Sequence, residues 1–387
     1  MNRTADLPIT ASSTPPAPAA SSELGDVAAD IVFIGALPPP LTGMTAMTAV
    51  IVEALKQDGP ITCYNWSRGK PLTGWRWKVT RAWGALKSLI GLMRRGRARG
   101  AVLYYPVSSG IGLYNDLAIA TAARLLGYRL ILHHHAYTYI DRRDWRAALL
   151  DRLVGPQGCH AVHCQLMQQH FLAQYPSKAE FLFVPPTIVS QQFEPAEPRS
   201  REDFTIGFMS NLSLAKGIDD VLATFQRLAG DGGRRVRLTL AGPCMSAVER
   251  ALVDDALARM PGQVEYRGPV YGRDKAQFFA DIDVFLFPTR SESWGIVLTE
   301  ALSAGCPVVA RDRGCVPWIV RGGCGHVIDG DVDFPMAAAE HLRRWRDNPA
   351  ELSAGRDAAK RRSAELAREA TDQLPAFSMR LRGGLRT

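Results

Sequence analysis

Long hydrophobic runs are missing from this 387-residue sequence, in which no uninterrupted apolar stretch approaches the roughly 20 residues that a membrane-spanning helix needs. Its 47% hydrophobic and 22% charged residues are ordinary for a globular protein, and they exclude a wholly disordered or collagen-like chain. The seven cysteines have no disulfide-like spacing, so we expect a reducing compartment. A chain of this length predicts two or three domains.

Acidic residues are absent between Asp58 and Asp116, although ten basic residues lie there. The formal net charge of +8 is concentrated in this segment, because the other 36 basic residues face 38 acidic ones. A basic block of this kind indicates an anionic partner, such as a membrane surface or a polyanion.

The same segment predicts an amphipathic helix, because its apolar residues recur with helical spacing from Trp75 to Met93. In one interpretation the apolar face packs on a sheet and the basic face is solvated. In the other the helix lies on an anionic lipid surface, with tryptophans at the interface. The second interpretation predicts membrane contacts for Trp75, Arg76, Lys78, Arg81, Lys87, Arg94 and Arg95. A nucleic-acid partner is not expected, since no recognised reading module is present.

Strand-like apolar runs alternate with helical segments over residues 29–187 and again over 204–350. This alternation predicts an α/β protein with two Rossmann-like, doubly wound parallel sheets. A polar stretch over 188–203 is predicted to link the two domains, and residues 1–28 to form a disordered tail. Residues 351–387 are predicted to form a helical tail that could return to the N-terminal domain. Because ligands bind beyond the carboxyl ends of parallel strands, we expect a binding cleft between the domains.

The sharpest motif begins at Pro288, directly after an apolar run that ends at Phe287. Gly295 would let a ligand approach the free N–H groups at the start of the following helix, where a phosphate is favoured. Glu300 lies about one turn further, where its carboxylate can accept hydrogen bonds from two sugar hydroxyls. Glu292, in the loop, could contact a second sugar. A capped helix with two solvated glutamates is the alternative, but the density of the pattern favours a nucleotide-sugar site.

This stretch resembles the nucleotide-sugar signature of family-four, GT-B fold glycosyltransferases. The signature has Pro-Ser, a Glu, a Gly, a second Glu eight residues after the first, and Ala-Gly-x-Pro-Val; here Thr289 replaces the Ser. Ser210–Gly217 resembles the family's phosphate-lysine segment, with Lys216 as the lysine. Leu37–Met44 resembles the glycine-containing loop of a polysaccharide-assembly branch of the family. His133-His-His135-Ala-Tyr resembles the strand end that places a histidine near the transferring sugar.

The resemblance implies two Rossmann-like domains facing across a cleft, the GT-B fold. It implies transfer of a sugar, with retention, from a UDP- or GDP-sugar to a lipid-linked or polysaccharide acceptor. It further implies catalytic roles for His135, Glu292 and Lys216. The substrate-binding residues that it implies are Thr42, Gly43, Asn211, Val270, Ser293, Trp294, Gly295, Ile296, Val297 and Glu300.

Two positions depart from the family pattern. Ser210 and Asn211 stand where the family often has an arginine, and Trp318 stands where it often has a glutamate. The first departure leaves Lys216 as the obvious cation for the diphosphate, unless Arg290 or Arg313 assists.

Two patterns superficially suggest a metal site. Cys159-His-Ala-Val-His-Cys164 lacks the spacing of a zinc finger or ribbon, and we interpret it as a buried strand or turn. Asp281-Ile-Asp283 fits the DxD metal motif of the other glycosyltransferase fold, but it precedes a buried strand. We therefore predict neither a metal nor another cofactor.

The leading hypothesis is a bacterial-type glycosyltransferase of polysaccharide biosynthesis. It would be cytoplasmic and peripheral at the inner face of the cell membrane. Two alternatives remain open: a nucleotide-sugar epimerase of the same fold, and a non-catalytic module that binds a sugar nucleotide or a membrane.

Overall fold

The computed structural model describes residues 29–67, 74–98, 100–190, 193–197, 202–230 and 235–383. The tail predicted over 1–28 and parts of the predicted linker lie outside these ranges, and so do residues 384–387 of the C-terminal tail.

The first half of the described chain forms a six-stranded parallel sheet flanked by helices. Its strands are β1 (Ile31–Gly35), β2 (Ile61–Asn65), β3 (Val102–Val107), β4 (Arg129–His134), β5 (Cys159–Val162) and β6 (Glu180–Phe183). Their order in the sheet is β2-β1-β3-β4-β5-β6. The helices are α1 (Gly43–Gln57), α2 (Gly74–Arg95), α3 (Gly112–Leu125), α4 (Thr138–Asp141), α5 (Trp145–Val154), α6 (Gln165–Gln174) and α7 (Thr187–Ser190).

The second half repeats this architecture with a six-stranded parallel sheet of its own. Its strands are β7 (Phe204–Met209), β8 (Val236–Ala241), β9 (Val264–Tyr266), β10 (Val284–Phe287), β11 (Val308–Arg311) and β12 (Gly325–Ile328), in the order β12-β11-β10-β7-β8-β9. The helices are α8 (Ile218–Ala229), α9 (Ala247–Arg259), α10 (Gly272–Ala280), α11 (Ile296–Ser303), α12 (Val316–Ile319), α13 (Phe334–Asp347) and α14 (Pro349–Arg382). The predicted fold class, two Rossmann-like domains, is confirmed.

Both faces of the first sheet are buried, which explains why its strands read as continuous apolar runs. In β1, Val32 and Ile34 belong to one hydrophobic core, whereas Ile31 and Phe33 belong to a second core on the opposite face. All four side chains are fully buried. Burial of each contributes about 1.5–3 kcal/mol to folding.

Helix α14 leaves the second domain and ends against the first. Arg380 donates two hydrogen bonds, of 3.0 and 2.9 Å, to the carboxylate of Glu180 in β6. Arg382 donates to the carbonyl of Leu55 in α1, and Ser378 donates to Asp58. The last turns of α14 therefore tie the two domains together behind the cleft.

Helix α2 packs on the first sheet through small residues and through Leu92, which is fully buried. Trp66 Nε1 donates to Ser88 Oγ at 2.7 Å, and a side chain at Gly91 would collide with the ring of Tyr64. Five other large apolar residues lie on the outer face, where each is between 37% and 59% exposed: Val79, Trp83, Leu86, Ile90 and Met93. For these five residues, the interpretation that places the apolar face against the sheet is wrong.

Candidate functional site

A cleft lies between the carboxyl ends of the two sheets, and two cavities within it share residues of both domains. One, of about 400 Å³, is lined by Gly43 from the first domain and by the start of α11 from the second. The other, of about 330 Å³, is lined by His135 and His163 together with Glu292 and Trp294. A separate cavity of about 560 Å³ beside Arg237 and Glu265 lies away from this cleft and is lined only by the second domain.

The start of α11 forms the wall common to both cavities. Gly295 precedes the helix with φ +82°, in the left-handed region that favours glycine, and a Cβ there would lie 3.1 Å from the ring of Phe287. The N–H groups of Ile296 and Val297 belong to the first turn, so they have no carbonyl partner four residues back in the helix. Together with the helix dipole they favour an anionic group.

Glu300 is buried at the edge of the larger cavity, with 6% of its surface exposed. One carboxylate oxygen, Oε1, accepts a hydrogen bond from Lys275 Nζ, whereas Oε2 has no partner among the described residues. Burial raises the pKa of Glu300, and the ammonium of Lys275 opposes that shift. Because buried polar atoms are normally hydrogen-bonded, Oε2 is an acceptor suited to a ligand hydroxyl.

Lys216 and Glu292 form an ion pair in the cleft, with Nζ and Oε2 2.8 Å apart. Lys216 Nζ also donates to the carbonyl of Ser291 at 3.1 Å, and Glu292 Oε1 accepts from the backbone N–H of Ser293 at 3.0 Å. The structure thus brings two of the three predicted catalytic residues into direct contact, in a position to act on neighbouring parts of one ligand.

Ser210 and Asn211 stand where the family often has an arginine, and the structure places a second cation, Lys275, in the same cavity. Lys275 was not identified from the sequence. Lys216 and Lys275 are the two cations among the described residues that line the larger cavity. Arg290 instead forms ion pairs with Asp219 and Asp220 at the start of α8, and the Arg313 guanidinium donates to the carbonyl of Asp312 at 2.8 Å. Lys275 pairs with Glu300 from α10, and no pattern in the sequence indicates that pairing.

The first domain contributes its predicted loop to the cleft. The hydroxyl of Thr42 caps α1 by accepting from the backbone N–H of Thr45 at 3.2 Å. A Cβ at Gly43 would lie 3.2 Å from Ile296, so this glycine permits close approach between the domains. Val270 and Asn211 line the larger cavity from the second domain, and Ser293 lines the smaller one.

The histidines of β4 alternate between the two faces of the sheet, as predicted. His134 contacts Tyr139 and His160, whereas His133 and His135 approach His163. Burial lowers the pKa of His135 to about 3, so its imidazole is neutral at physiological pH. His163 was assigned to a buried strand or turn from the sequence, and its place at the cleft was missed.

The predicted membrane contacts fall into three groups. Lys87 and Arg94 are exposed on α2. Arg95 Nη1 donates a hydrogen bond to Thr62 Oγ1 at 2.8 Å. Arg95 also forms an ion pair with Asp30, so its charge is partly neutralised. The side chains of four further residues of this helix lie outside the described part of the structure: Trp75, Arg76, Lys78 and Arg81.

The Asp281-Ile-Asp283 pattern has structural partners. Asp281 forms an ion pair of 2.8 Å with Arg267. Asp283 accepts from the backbone N–H of Thr205 at 2.8 Å and pairs with Arg356. Neither carboxylate lines the two cavities of the cleft.

Comparison with known proteins agrees with this arrangement. Residues 203–348 match the family model described as Glycosyl transferases group 1. Sucrose-phosphate synthase from Thermosynechococcus elongatus superimposes with a TM-score of 0.67 at 14% identity, covering 90% of this chain and 98% of that one. The GT-B fold and the glycosyltransferase resemblance are confirmed. A second GT-B neighbour, Anabaena Alr3699/HepE solved in complex with UDP, has a TM-score of 0.61 at 14% identity, covering 90% of this chain and all of that one.

Among curated relatives, the D-inositol 3-phosphate glycosyltransferase of Mycobacterium marinum is 33% identical over 152 residues. This match covers 37% of the chain and 31% of the relative. The sequence similarity therefore spans about a third of that relative.

Proposed function

We propose that the chain is a glycosyltransferase that moves a sugar, with retention, from a UDP- or GDP-sugar to a lipid-linked or polysaccharide acceptor. The observation that carries this proposal is the unpartnered Oε2 of buried Glu300, which lies in one cavity with Lys216, Lys275 and the start of α11. An acceptor for a ribose hydroxyl, two cations and a helix N-terminus together suit a nucleoside diphosphate. The structural neighbour solved with UDP supports the same ligand class.

In the proposed reaction the bond from the sugar C1 to the diphosphate oxygen breaks and a bond from C1 to the acceptor oxygen forms. Negative charge develops on the departing diphosphate, which also provides a base for the acceptor proton. Lys216 and the N–H groups of Ile296 and Val297 would stabilise that charge. Glu292 would orient the donor sugar, and neutral His135 would contact it from the other domain. The proposal assigns no metal to the diphosphate, because lysines and backbone amides fill that role.

Binding of the nucleotide is the first test. A ligand that binds only the folded protein raises its stability, by about 2.7 kcal/mol at 100 times Kd. We expect UDP or GDP, but not the matching free nucleoside, to raise the melting temperature of the purified chain without added divalent metal. If neither diphosphate changes the melting temperature or gives heat on titration, the assigned nucleotide site is wrong.

We further propose that the protein works at the inner face of the cell membrane and binds it through α2. None of the helices in the described part of the chain combines the length and apolar character needed to cross a bilayer. Instead, α2 presents five exposed apolar side chains, and Lys87 Nζ lies 5.7 Å from the ring centre of Trp83 on the same surface. Apolar side chains beside basic ones favour the interface of an anionic membrane.

Replacing Leu86 and Ile90 together by Asp is expected to reduce sedimentation with anionic phospholipid vesicles at least tenfold. Each side chain would lose about 1.5–3 kcal/mol of burial on transfer to the interface. Val248→Asp is the matched control, because Val248 is 59% exposed on α9 of the other domain. Equal sedimentation of folded wild-type and doubly substituted protein would contradict the assignment of this surface.

A further inference from the structure

Three histidines meet beside the smaller cavity, which His135 and His163 line and behind which His133 is buried. One ligand nitrogen from each of His133, His135 and His163 lies within 4.8 Å of the other two. Four buried ring nitrogens of this cluster have no hydrogen-bond partner among the described residues: His133 Nε2, His135 Nε2, His163 Nδ1 and His163 Nε2. Since buried polar atoms are normally satisfied, this cluster favours a ligand, and one ion would take one nitrogen from each histidine.

The opposite face of the same two strands provides an internal comparison. His134 Nδ1 lies 2.9 Å from Tyr139 Oη, and His134 Nε2 lies 2.8 Å from His160 Nδ1. His160 Nε2 in turn lies 3.0 Å from Asp151 Oδ1. All four ring nitrogens of that pair have protein partners. Burial alone therefore does not leave histidines of β4 and β5 unpaired.

We propose that His133, His135 and His163 bind one divalent transition-metal ion, of which Zn²⁺ is the best match. Neutral imidazole nitrogens suit zinc, whereas Mg²⁺ and Ca²⁺ prefer oxygen ligands that this cluster lacks. The proposal stands on the histidines themselves and does not depend on the proposed transferase activity.

Tyr104 supplies the outer contact that a metal-binding histidine usually has. Its hydroxyl lies 2.8 Å from His133 Nδ1. The tautomer with the proton on Nδ1 donates to this oxygen and leaves the lone pair on Nε2, which has no partner among the described residues. Tyr104 is a positioning residue in this scheme, because it contacts His133 and not the ion.

The three nitrogens, which lie within 4.8 Å of one another, would have to reach the spacing of ligands on one ion. Nitrogens bound to one tetrahedral zinc at about 2.0–2.1 Å lie about 3.3 Å apart. Ring rotations can close the remaining distance, and no protein hydrogen bond at the four orphan nitrogens opposes them. The fourth coordination position would face the cavity that Glu292 and Trp294 also line, where a hydroxyl or carboxylate oxygen of a bound sugar could enter.

Metal titration of the full chain tests this site. The protein is stripped with EDTA, dialysed, and titrated with Zn²⁺ against a chromophoric chelator; Co²⁺ is then used as a spectroscopic probe. We expect one equivalent of each metal to bind and the Co²⁺ form to show the visible absorption of tetrahedral nitrogen coordination. His135→Gln and His163→Gln should each weaken Zn²⁺ binding by more than the roughly 10–100-fold expected for loss of an outer contact.

Two further variants separate this site from adventitious binding. Tyr104→Phe keeps the ring that packs in the core and should weaken Zn²⁺ binding by about 10–100-fold. His341→Gln, in a second histidine pair whose ring centres lie 4.0 Å apart, should leave Zn²⁺ affinity unchanged. The proposal is overturned if folded wild-type protein takes up no stoichiometric metal, or if His341→Gln costs as much affinity as His163→Gln. The wild-type stoichiometry and the Co²⁺ spectrum decide the question even if a histidine variant fails to fold.

Discussion

Glu300→Gln is expected to weaken binding of the nucleoside diphosphate by about 10–100-fold. A hydrogen bond to a charged group contributes about 1.5–3 kcal/mol, and each 1.4 kcal/mol is a factor of ten in Kd. The substitution preserves the shape of the buried side chain but replaces a carboxylate that has one oxygen free for a ribose hydroxyl. Titration calorimetry measures the change, with Glu340→Gln on the exposed surface of α13 as the matched control.

The pH dependence of binding gives this prediction an independent check. Burial raises the pKa of Glu300 above its ordinary value of 4.5, so its carboxylate is protonated at a higher pH than an exposed one. A protonated group is a poorer acceptor for sugar hydroxyls. Nucleotide affinity should therefore fall as the pH is lowered through that raised pKa, and it should fall less in Glu300→Gln. If nucleotide affinity has the same pH dependence in wild type and in Glu300→Gln, a group other than Glu300 accepts the sugar hydroxyl.

The raised pKa of Glu300 also affects the stability of the folded protein. Because the pKa of Glu300 is higher in the folded protein than in the unfolded chain, the folded state binds this proton more tightly. This contribution to the free energy of unfolding is fully present when the pH is below the pKa of Glu300 in the unfolded chain. It is lost as the pH rises through the higher pKa of Glu300 in the folded protein. Unliganded Glu300→Gln should therefore be no less stable than wild type at pH 7, as its thermal unfolding would report.

Lys216→Met is expected to reduce kcat by about 10²–10³-fold with a smaller effect on donor affinity. Loss of one preorganised donor to a developing negative charge costs about that much in other enzymes. Lys216 Nζ lies 2.8 Å from Glu292 Oε2, so the ammonium is positioned in the cleft. Single-turnover kinetics with the donor sugar separate the chemical step from binding.

Lys216→Arg and Lys56→Met serve as the charge-preserving variant and the surface control for this prediction. Arginine keeps the charge but has a planar, forked geometry, so partial recovery is expected. Lys56 is an exposed residue of α1 whose side chain pairs with Glu53. Its substitution should change neither kcat nor the KM for the donor. If Lys216→Met raises only the KM for the donor, the lysine contributes binding without acting on the departing diphosphate.

The fold was predictable from the sequence because strands buried on both faces must be continuous apolar runs, as in Ile31–Gly35 and Val284–Phe287. The start of α11 was predictable for a similar reason. Gly295 and Glu300 are close in the chain, so local helical geometry alone relates them. Local pattern and local structure agree in both cases.

The ion pairs of the site were not predictable, because their partners are distant in sequence. Lys275 reaches Glu300 from α10, and Lys216 reaches Glu292 from a turn 76 residues earlier. The place of His163 likewise follows from the alignment of β5 beside β4, which no spacing along the chain reveals.

The orientation of α2 shows how periodicity can mislead. A helical repeat of apolar residues identifies a face but does not say which face is turned inward. The decisive residues are the small ones, since Gly84, Ser88 and Gly91 recur at helical spacing and allow close approach to Tyr64 and Trp66. If the helical spacing of the small residues is considered together with that of the apolar ones, it predicts that the apolar surface faces outward.

Acceptor-dependent turnover of a nucleotide-sugar tests the central claim most directly. The purified chain is incubated with whichever UDP- or GDP-sugar stabilises it, with and without a lipid extract or a polysaccharide fraction as acceptor, and the released diphosphate and labelled product are measured. We predict diphosphate release that depends on the added acceptor, a loss of about 10²–10³-fold in that release with Lys216→Met, and the donor's anomeric configuration in the product. Isomerisation of the donor without any acceptor, or no turnover of a donor that binds, would contradict the account.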